Sequence, residues 1–216
     1  LRRIAKGFWN PFGLCFRNGE LFAAENDPGS RPPCRLLHVV EKGDYGYQRK
    51  YGNAANHPFV CWNGELRGTL PMLHALGEAP CGIVPFASGL AVTSWTEHRL
   101  DFYPLAKKGE SFSTHRISLL RGGKNFRPTC LSRGKDDELY FTDWVKGSYE
   151  IHGAGRIWKL KYDPAQFTNP LHLPENPSEA SDRPVPQDKL RLQRDIKDLL
   201  LEANQTKDAF RVHRII

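Results

Sequence analysis

Short apolar segments separated by turn residues fill the chain up to about residue 162. Asn10-Pro11 and Asp27-Pro28-Gly29 each force an extended or turning backbone before the proline. Segments of this length that are rich in Val, Ile, Leu, Phe and Tyr and bounded by Gly, Asn or Asp are typical of β-strands. The pattern predicts an all-β fold with strands at 12–16, 20–26, 35–41, 81–86, 89–95, 98–105, 112–120, 128–132, 138–144 and 156–162.

A weak internal repeat favours one all-β architecture. The four strands predicted between 81 and 120 occupy about 40 residues, which is the length of one β-propeller blade. Segments 90–95 and 139–144 are 49 residues apart, and each ends in a polar residue followed by Trp. The strand after each segment carries an arginine, Arg99 or Arg156. The repeat favours a propeller, although a plain β-sandwich would contain similar strands.

A long insertion, 44–80, separates the first two groups of strands and is rich in aromatic residues. Loops of this length in a compact domain are usually functional or disordered, and the aromatic content argues against disorder. We therefore expect the insertion to pack against one face of the sheets. Because sugar rings stack on aromatic side chains, Tyr47, Trp62 and Glu65 are the predicted substrate-binding residues. Glu65 and Glu78 could also pair as the acid and base of a glycosidase.

The composition changes after residue 162. Segment 163–187 contains six prolines and is typical of a linker. In segment 188–216, Asp188 can cap a helix whose apolar residues then recur at helical spacing. One helix and a half cannot bury such a stripe alone, so 188–216 is predicted to begin a helical repeat. The predicted organisation is a β-domain at 1–162, a linker at 163–187 and a short α appendage at 188–216.

Charge and hydropathy exclude two classes of partner. The formal net charge is +7, but basic residues are scattered and the densest basic group is followed by Asp136-Asp137-Glu138. A basic surface without a basic patch does not predict nucleic-acid binding. No apolar run is long enough to span a bilayer, so no transmembrane segment is predicted.

The five cysteines contain no CxxC pair and no CxxCH motif. This spacing argues against a zinc site and excludes a c-type haem attachment site in this chain. The odd number argues against a closed disulfide framework. One pair among Cys34, Cys61 and Cys81 stays open if the protein is exported.

Five short motifs together resemble a known family. They are Asn10-Pro11-x-Gly13, Asn26-Asp27-Pro28, Gly43-Asp44-Tyr45-Gly46-Tyr47, Ala79-Pro80-Cys81-Gly82 and Gly153-x-Gly155-Arg156-Ile157. In this order, over about residues 4–162, the chain resembles the glucose/sorbosone dehydrogenases, β-propellers related to soluble quinoprotein glucose dehydrogenase. The likeness is greatest to the membrane-bound dehydrogenase domain proteins of planctomycetes. The resemblance implies a partial six-bladed β-propeller of two to three blades, a HEAT-like repeat at 188–216, and a longer parent protein.

The resemblance also implies a cofactor and a metal. In this family the first turn supplies polar side chains to pyrroloquinoline quinone (PQQ), which implies Asn10, Phe12, Asn26 and Arg127 as cofactor-binding residues here. The Asn26-Asp27-Pro28 corner corresponds to the site of a calcium ion, which implies Asp27 and Pro28 as metal ligands. Calcium prefers carboxylate and carbonyl oxygens, so the assignment is chemically reasonable. The alternative is that Asp27 only shapes the turn before Pro28.

Several positions depart from the family pattern. Trp9, Thr96 and Asn125 stand where the family has cationic residues, and Arg127 is the cation retained. PQQ carries three carboxylates, so these changes remove much of its electrostatic anchoring. The family's catalytic histidine lies in an earlier blade, outside this chain.

The resemblance implies part of a quinoprotein-type sugar or alcohol dehydrogenase. In the longer protein, such an enzyme would pass electrons to a haem module in the periplasm or at the cell surface. The alternative is a non-catalytic propeller that binds carbohydrate or a protein partner. Whether the chain is catalytic stays open at this point, because fold alone does not fix function.

Overall fold

The computed structural model describes residues 1–29, 31–52, 57–135 and 138–161, and the backbone of 171–172. One short 3₁₀ helix, Arg49–Tyr51, interrupts an otherwise β fold within these ranges. The strands are β1 (Asn10–Arg17), β2 (Glu20–Asn26), β3 (Arg35–Val39), β4 (His74–Ala75), β5 (Pro80–Phe86), β6 (Gly89–Ser94), β7 (Arg99–Pro104), β8 (Ala106–Lys108), β9 (Ser111–Ser113), β10 (Ile117–Arg121), β11 (Pro128–Arg133), β12 (Glu138–Asp143), β13 (Arg156–Lys161) and β14 (Leu171–His172). The all-β class is thus confirmed for the described part of the chain.

The strands form three successive antiparallel sheets, each starting from a new first strand. Sheet A has the order β1-β2-β3-β4, and sheet C has the order β11-β12-β13. Sheet B has the order β14-β10-β7-β6-β5, in which only the two-residue β14 runs parallel to its neighbour. A separate hairpin, β8-β9, lies between β7 and β10 in the chain. Meandering sheets of four strands are the unit of a β-propeller.

The three sheets stack with their first strands side by side. Strand β5 lies between β1 and β11, so the first strand of each sheet is the innermost strand. One core cluster, which includes Phe22, Leu36 and Leu90, joins sheets A and B. A second cluster, which includes Phe102 and Phe141, joins sheets B and C. The apolar side chains are therefore buried between consecutive sheets, as in the stacked blades of a propeller.

A repeated motif at the start of each inner strand explains this close stacking. The segments Pro11-Phe12-Gly13, Pro80-Cys81-Gly82 and Pro128-Thr129-Cys130 occupy matching positions, each beside an irregularity in the strand register. A Cβ on Gly13 would lie 2.6 Å from the carbonyl oxygen of Cys81. A Cβ on Gly82 would lie 2.7 Å from that of Thr129. Glycine is required because the next inner strand's backbone occupies the space.

The insertion packs against sheet A, which confirms the expectation drawn from its aromatic content. Tyr45 lies in one cluster with Ala23 and Leu37 of the sheet. Its hydroxyl donates a hydrogen bond to the carbonyl of His38 and accepts one from the amide of Val40 at 3.0 Å. The insertion is therefore held by buried contacts to the sheet.

One predicted strand differs from the structure, and two predicted segments are not tested by it. The predicted strand at 112–120 is divided into β9 and β10. Most of the predicted linker at 163–187, and the whole predicted helical repeat at 188–216, lie outside the described residues. No helix in the described part of the chain is long and apolar enough to cross a membrane.

Candidate functional site

Ion pairs between a carboxylate and an arginine join neighbouring strands at the end of the sheets where the inner strands begin. In sheet A, Glu25, the last residue but one of β2, lies opposite Arg35, which opens β3. The carboxylate accepts hydrogen bonds from Arg35 at 2.6 and 2.8 Å, and both side chains are completely buried. The other carboxylate oxygen of Glu25 accepts the amide N–H of Trp9, just before β1. The pair thus links the second and third strands to the entry of the inner strand.

Sheet C repeats this arrangement, and sheet B has a serine in place of the carboxylate. Asp143 closes β12 and accepts hydrogen bonds from Arg156 at 2.7 and 3.0 Å and from the amide of Arg127 at 2.7 Å. In sheet B, Ser94 replaces the acid and donates to the carbonyl of Glu78 at 2.9 Å. A polar residue at the end of a neighbouring strand therefore holds, by a hydrogen bond, the backbone just before each of the inner strands β1, β5 and β11. The repeat at 90–95 and 139–144 signalled this feature, since both segments end in these residues.

A cavity of about 680 Å³ lies at this end of the inner strands. We call it the mouth cavity. It is lined by Asn10, Phe12, Gly13, Leu14, Asn26, Ala79, Cys81, Gly82, Ile83, Trp95, Thr129, Cys130, Leu131, Trp144 and Tyr149. All three sheets contribute to it, and its size is that of a small-molecule site.

Aromatic rings dominate one side of the mouth cavity. The rings of Trp95 and Tyr149 are nearly parallel, with centroids 6.1 Å apart. Trp144 lies 6.2 Å from Tyr149 at a tilt of 48°. Tyr149 is 85% exposed, so much of its ring is available to a ligand. Trp95 and Trp144 occupy matching positions after β6 and β12, which the internal repeat had predicted.

The structure brings together three of the four residues predicted to bind the cofactor. Asn10, Phe12 and Asn26 line the mouth cavity. Arg127 lies beside it, with its guanidinium 4.5 Å from the ring of Trp95. Arg127 donates to the carbonyls of Trp95 at 3.1 Å and Thr96 at 3.2 Å, and burial lowers its pKa. Its Nε is buried without a hydrogen-bond partner.

The predicted metal corner adjoins the mouth cavity. Asp27 follows Asn26 and accepts the amide N–H of Gly29 at 2.5 Å, which is a turn-forming contact. Pro28 lies between these two residues and is partly buried. The second oxygen of Asp27 faces the thiol of Cys34 at 3.5 Å, and this thiol also faces Glu78 at 3.7 Å. Sequence reasoning missed both neighbours, because only the folded turn after β2 and the stacking of the sheets bring them to Asp27.

The three residues predicted to bind substrate lie in the insertion, and none of them lines the mouth cavity. Trp62 is 2% exposed, with the guanidinium of Arg35 3.5 Å from its ring and its indole N–H donating to Pro33 at 2.7 Å. Tyr47 is buried beside Trp9. Glu65 accepts the amide N–H groups of Trp62 and Asn63 at 2.8 and 2.7 Å. These contacts give all three residues partners within the protein, and their sugar-binding role stays a prediction.

Comparison with known proteins adds evidence on the fold. No protein-family model matches the chain. No curated protein matches it either.

Solved structures match the fold. A glucose dehydrogenase from Thermus thermophilus, described as a putative oxidoreductase, aligns with a TM-score of 0.58 at 22% identity, covering 72% of this chain and 48% of its own. The PQQ-bound aldose sugar dehydrogenase of Streptomyces coelicolor aligns with a TM-score of 0.57 at 19% identity, covering 73% of this chain and 45% of its own. The chain thus spans about half the length of these proteins. Its three stacked sheets have the fold of part of a sugar dehydrogenase β-propeller.

Proposed function

We propose that this chain forms part of a sugar-dehydrogenase-type β-propeller whose mouth cavity binds a sugar or polyol. The aromatic lining of that cavity is the observation that carries the proposal. The fold of known glucose and aldose sugar dehydrogenases supports the substrate class. All three sheets contribute residues to this one cavity, at the end where their inner strands begin, which supports the cavity as the location of the sugar site.

The cavity combines the two surfaces that a sugar presents. A pyranose ring has apolar C–H faces, which stack on aromatic rings, and a rim of hydroxyl groups. The exposed ring of Tyr149 and the adjacent Trp95 and Trp144 offer the stacking surface. The amides of Asn10 and Asn26, which also line the cavity, can donate hydrogen bonds to the sugar hydroxyl groups and accept hydrogen bonds from them. These residues would bind the ring and fix its orientation.

The described residues do not fit PQQ, the quinone implied by the family resemblance. Its three carboxylates need cationic partners, and no Lys or Arg lines the mouth cavity in the described part of the chain. Arg127, the nearest retained cation, already donates to two carbonyls and stacks on Trp95. Our assignment for this chain is therefore substrate binding and orientation. The hydride-accepting step, a calcium ion at the corner and a haem-containing acceptor belong to the resemblance alone.

The same misfit favours a second candidate function. A non-catalytic propeller that binds neutral carbohydrate needs aromatic rings and amides but no cationic cradle. Under the dehydrogenase proposal, the longer protein would act in the periplasm or at the cell surface and pass electrons to a haem module. Under the second candidate it would bind its sugar without a redox reaction.

Sugar titration of the protein tests the location of the site. We expect an aldose or polyol to quench tryptophan fluorescence and Tyr149→Ala to weaken its binding roughly fivefold, because one aromatic stacking contact is lost. Phe59→Ala is the control, since Phe59 is an exposed aromatic residue of the insertion that does not line the cavity. Equal losses in the two variants, or no binding by any aldose or polyol, would contradict the proposal.

Dye reduction then separates the two candidates. The longer protein implied by the resemblance, supplied with PQQ, calcium and the sugar, should reduce an artificial electron acceptor if it is a dehydrogenase. Sugar binding without PQQ-dependent dye reduction would favour the non-catalytic alternative.

A further inference from the structure

A compact group of three metal-ligating side chains lies at the edge of sheets A and B. Asp27 follows β2, Cys34 precedes β3, and Glu78 precedes β5. One ligand atom from each lies within 4.8 Å of the other two. The Cys34 sulfur is 3.5 Å from the Asp27 carboxylate and 3.7 Å from that of Glu78. We call this group the corner cluster.

The corner cluster concentrates negative charge without a basic partner. The ion pairs of the described residues include neither Asp27 nor Glu78. Partial burial and the nearby charge of Asp27 raise the pKa of Glu78. Cys34 is 1% exposed, and its sulfur accepts the amide N–H of Asp27 at 3.4 Å. Burial, together with the nearby charges of Asp27 and Glu78, raises the pKa of the Cys34 thiol to about 12, so the thiol is protonated without a cation and a bound cation would displace its proton.

The donor set does not fit calcium, the ion implied by the family resemblance. Calcium takes six to eight oxygen ligands, whereas this group places a sulfur between two carboxylates. Zinc accepts both thiolate and carboxylate ligands, at about 2.3 and 2.1 Å, in tetrahedral geometry. Ligand atoms around such an ion lie roughly 3.5 Å apart, which matches the two sulfur–oxygen distances.

We propose that Asp27, Cys34 and Glu78 bind a zinc-class divalent cation. Three protein ligands leave the fourth tetrahedral position for water or another small ligand. Asn26 and Ala79, the chain neighbours of Asp27 and Glu78, line the mouth cavity, so the ion lies at its edge. The CxxC rule could not reveal this site, because its ligands come from three separate strand ends. The proposal is independent of sugar binding.

Cobalt is the probe for the thiolate ligand. The metal-stripped protein titrated with Co²⁺ should develop the near-ultraviolet charge-transfer band of cobalt–thiolate ligation. Cys34→Ser should abolish this band, and Cys61→Ser should retain it, because Cys61 is an equally buried thiol outside the cluster. Absence of the band from the unaltered protein, or its loss in both variants, would overturn the proposal.

Zinc calorimetry keeps the test decisive if Cys34→Ser does not fold. Asp27→Asn and Glu78→Gln retain the thiol, and each should weaken Zn²⁺ binding by about tenfold or more. Glu110→Gln alters an exposed carboxylate far from the cluster in sequence and should leave the affinity unchanged. Tighter binding of Ca²⁺ than of Zn²⁺ would overturn the proposal and return the corner to the calcium assignment.

Discussion

Glu25 and the corner cluster lie close together at the end of β2, and their negative charges are balanced in different ways. Glu25 is completely buried, and Arg35 balances its charge with a two-pronged hydrogen bond. The corner cluster of Asp27, Cys34 and Glu78 is more open and has no basic partner in the described part of the chain. A carboxylate can be buried where the protein supplies the opposite charge, as Arg35 does for Glu25. In the corner cluster, the proposed metal ion would supply that positive charge instead.

Arg35 shows how much structure a built-in cation can organise. Its second terminal nitrogen donates to the carbonyls of Tyr45 and Trp62, both at 2.8 Å, and its guanidinium stacks on the Trp62 ring. One side chain therefore holds a strand end and two points of the insertion together. These contacts explain why the insertion folds onto sheet A.

Replacement of this cation should produce the largest effect. Arg35→Met leaves Glu25 buried and unpaired and releases two carbonyls of the insertion, so we expect a loss of about 3–5 kcal/mol in the free energy of unfolding. Urea denaturation measures it. Arg156→Met is the matched comparison, since the Arg156–Asp143 pair is partly exposed and should lose less. An equal or smaller loss at Arg35 would break the distinction between buried and open pairs.

Removal of the acid should cost less than removal of the base. Glu25→Gln preserves the shape of the side chain but removes the counter-charge of Arg35, so we expect a loss of about 1.5–3 kcal/mol. Arg35 keeps its two carbonyl partners in this variant, which is why the cost is smaller. Urea midpoints measured beside Arg35→Met test the order, and a larger loss for Glu25→Gln would contradict it.

The sequence predicted the sheets better than it predicted their chemistry. Strand patterns identified the β class, and the repeat ending in Trp95 and Trp144 anticipated two residues of the mouth cavity. Neither signal could show that Glu25 meets Arg35, because that pairing depends on strand register. The mixed ligands of the corner cluster come together only when sheets A and B stack. Local patterns therefore fix strands and turns, while a site built from several strand ends needs the tertiary fold.

The smallest expected effect comes from Glu78→Gln. It is the sharpest test of the comparison, because the same Glu→Gln change should destabilise the fold at Glu25 and stabilise it at Glu78. In metal-free protein, Glu78→Gln should stabilise the fold by less than about 1 kcal/mol at neutral pH, since it removes repulsion from Asp27 at a largely solvent-accessible position.

The raised pKa of Glu78 sets the sign of the pH dependence of this effect. The folded state holds its proton more tightly than the unfolded state, so stability falls as the pH rises from the ordinary value of 4.5 through the folded pKa. Thermal unfolding across this range should show a shallower fall in the variant, and saturating Zn²⁺ should reverse the order by favouring the unaltered protein. Destabilisation by Glu78→Gln in the absence of metal would show that the corner cluster is already balanced, as Glu25 is.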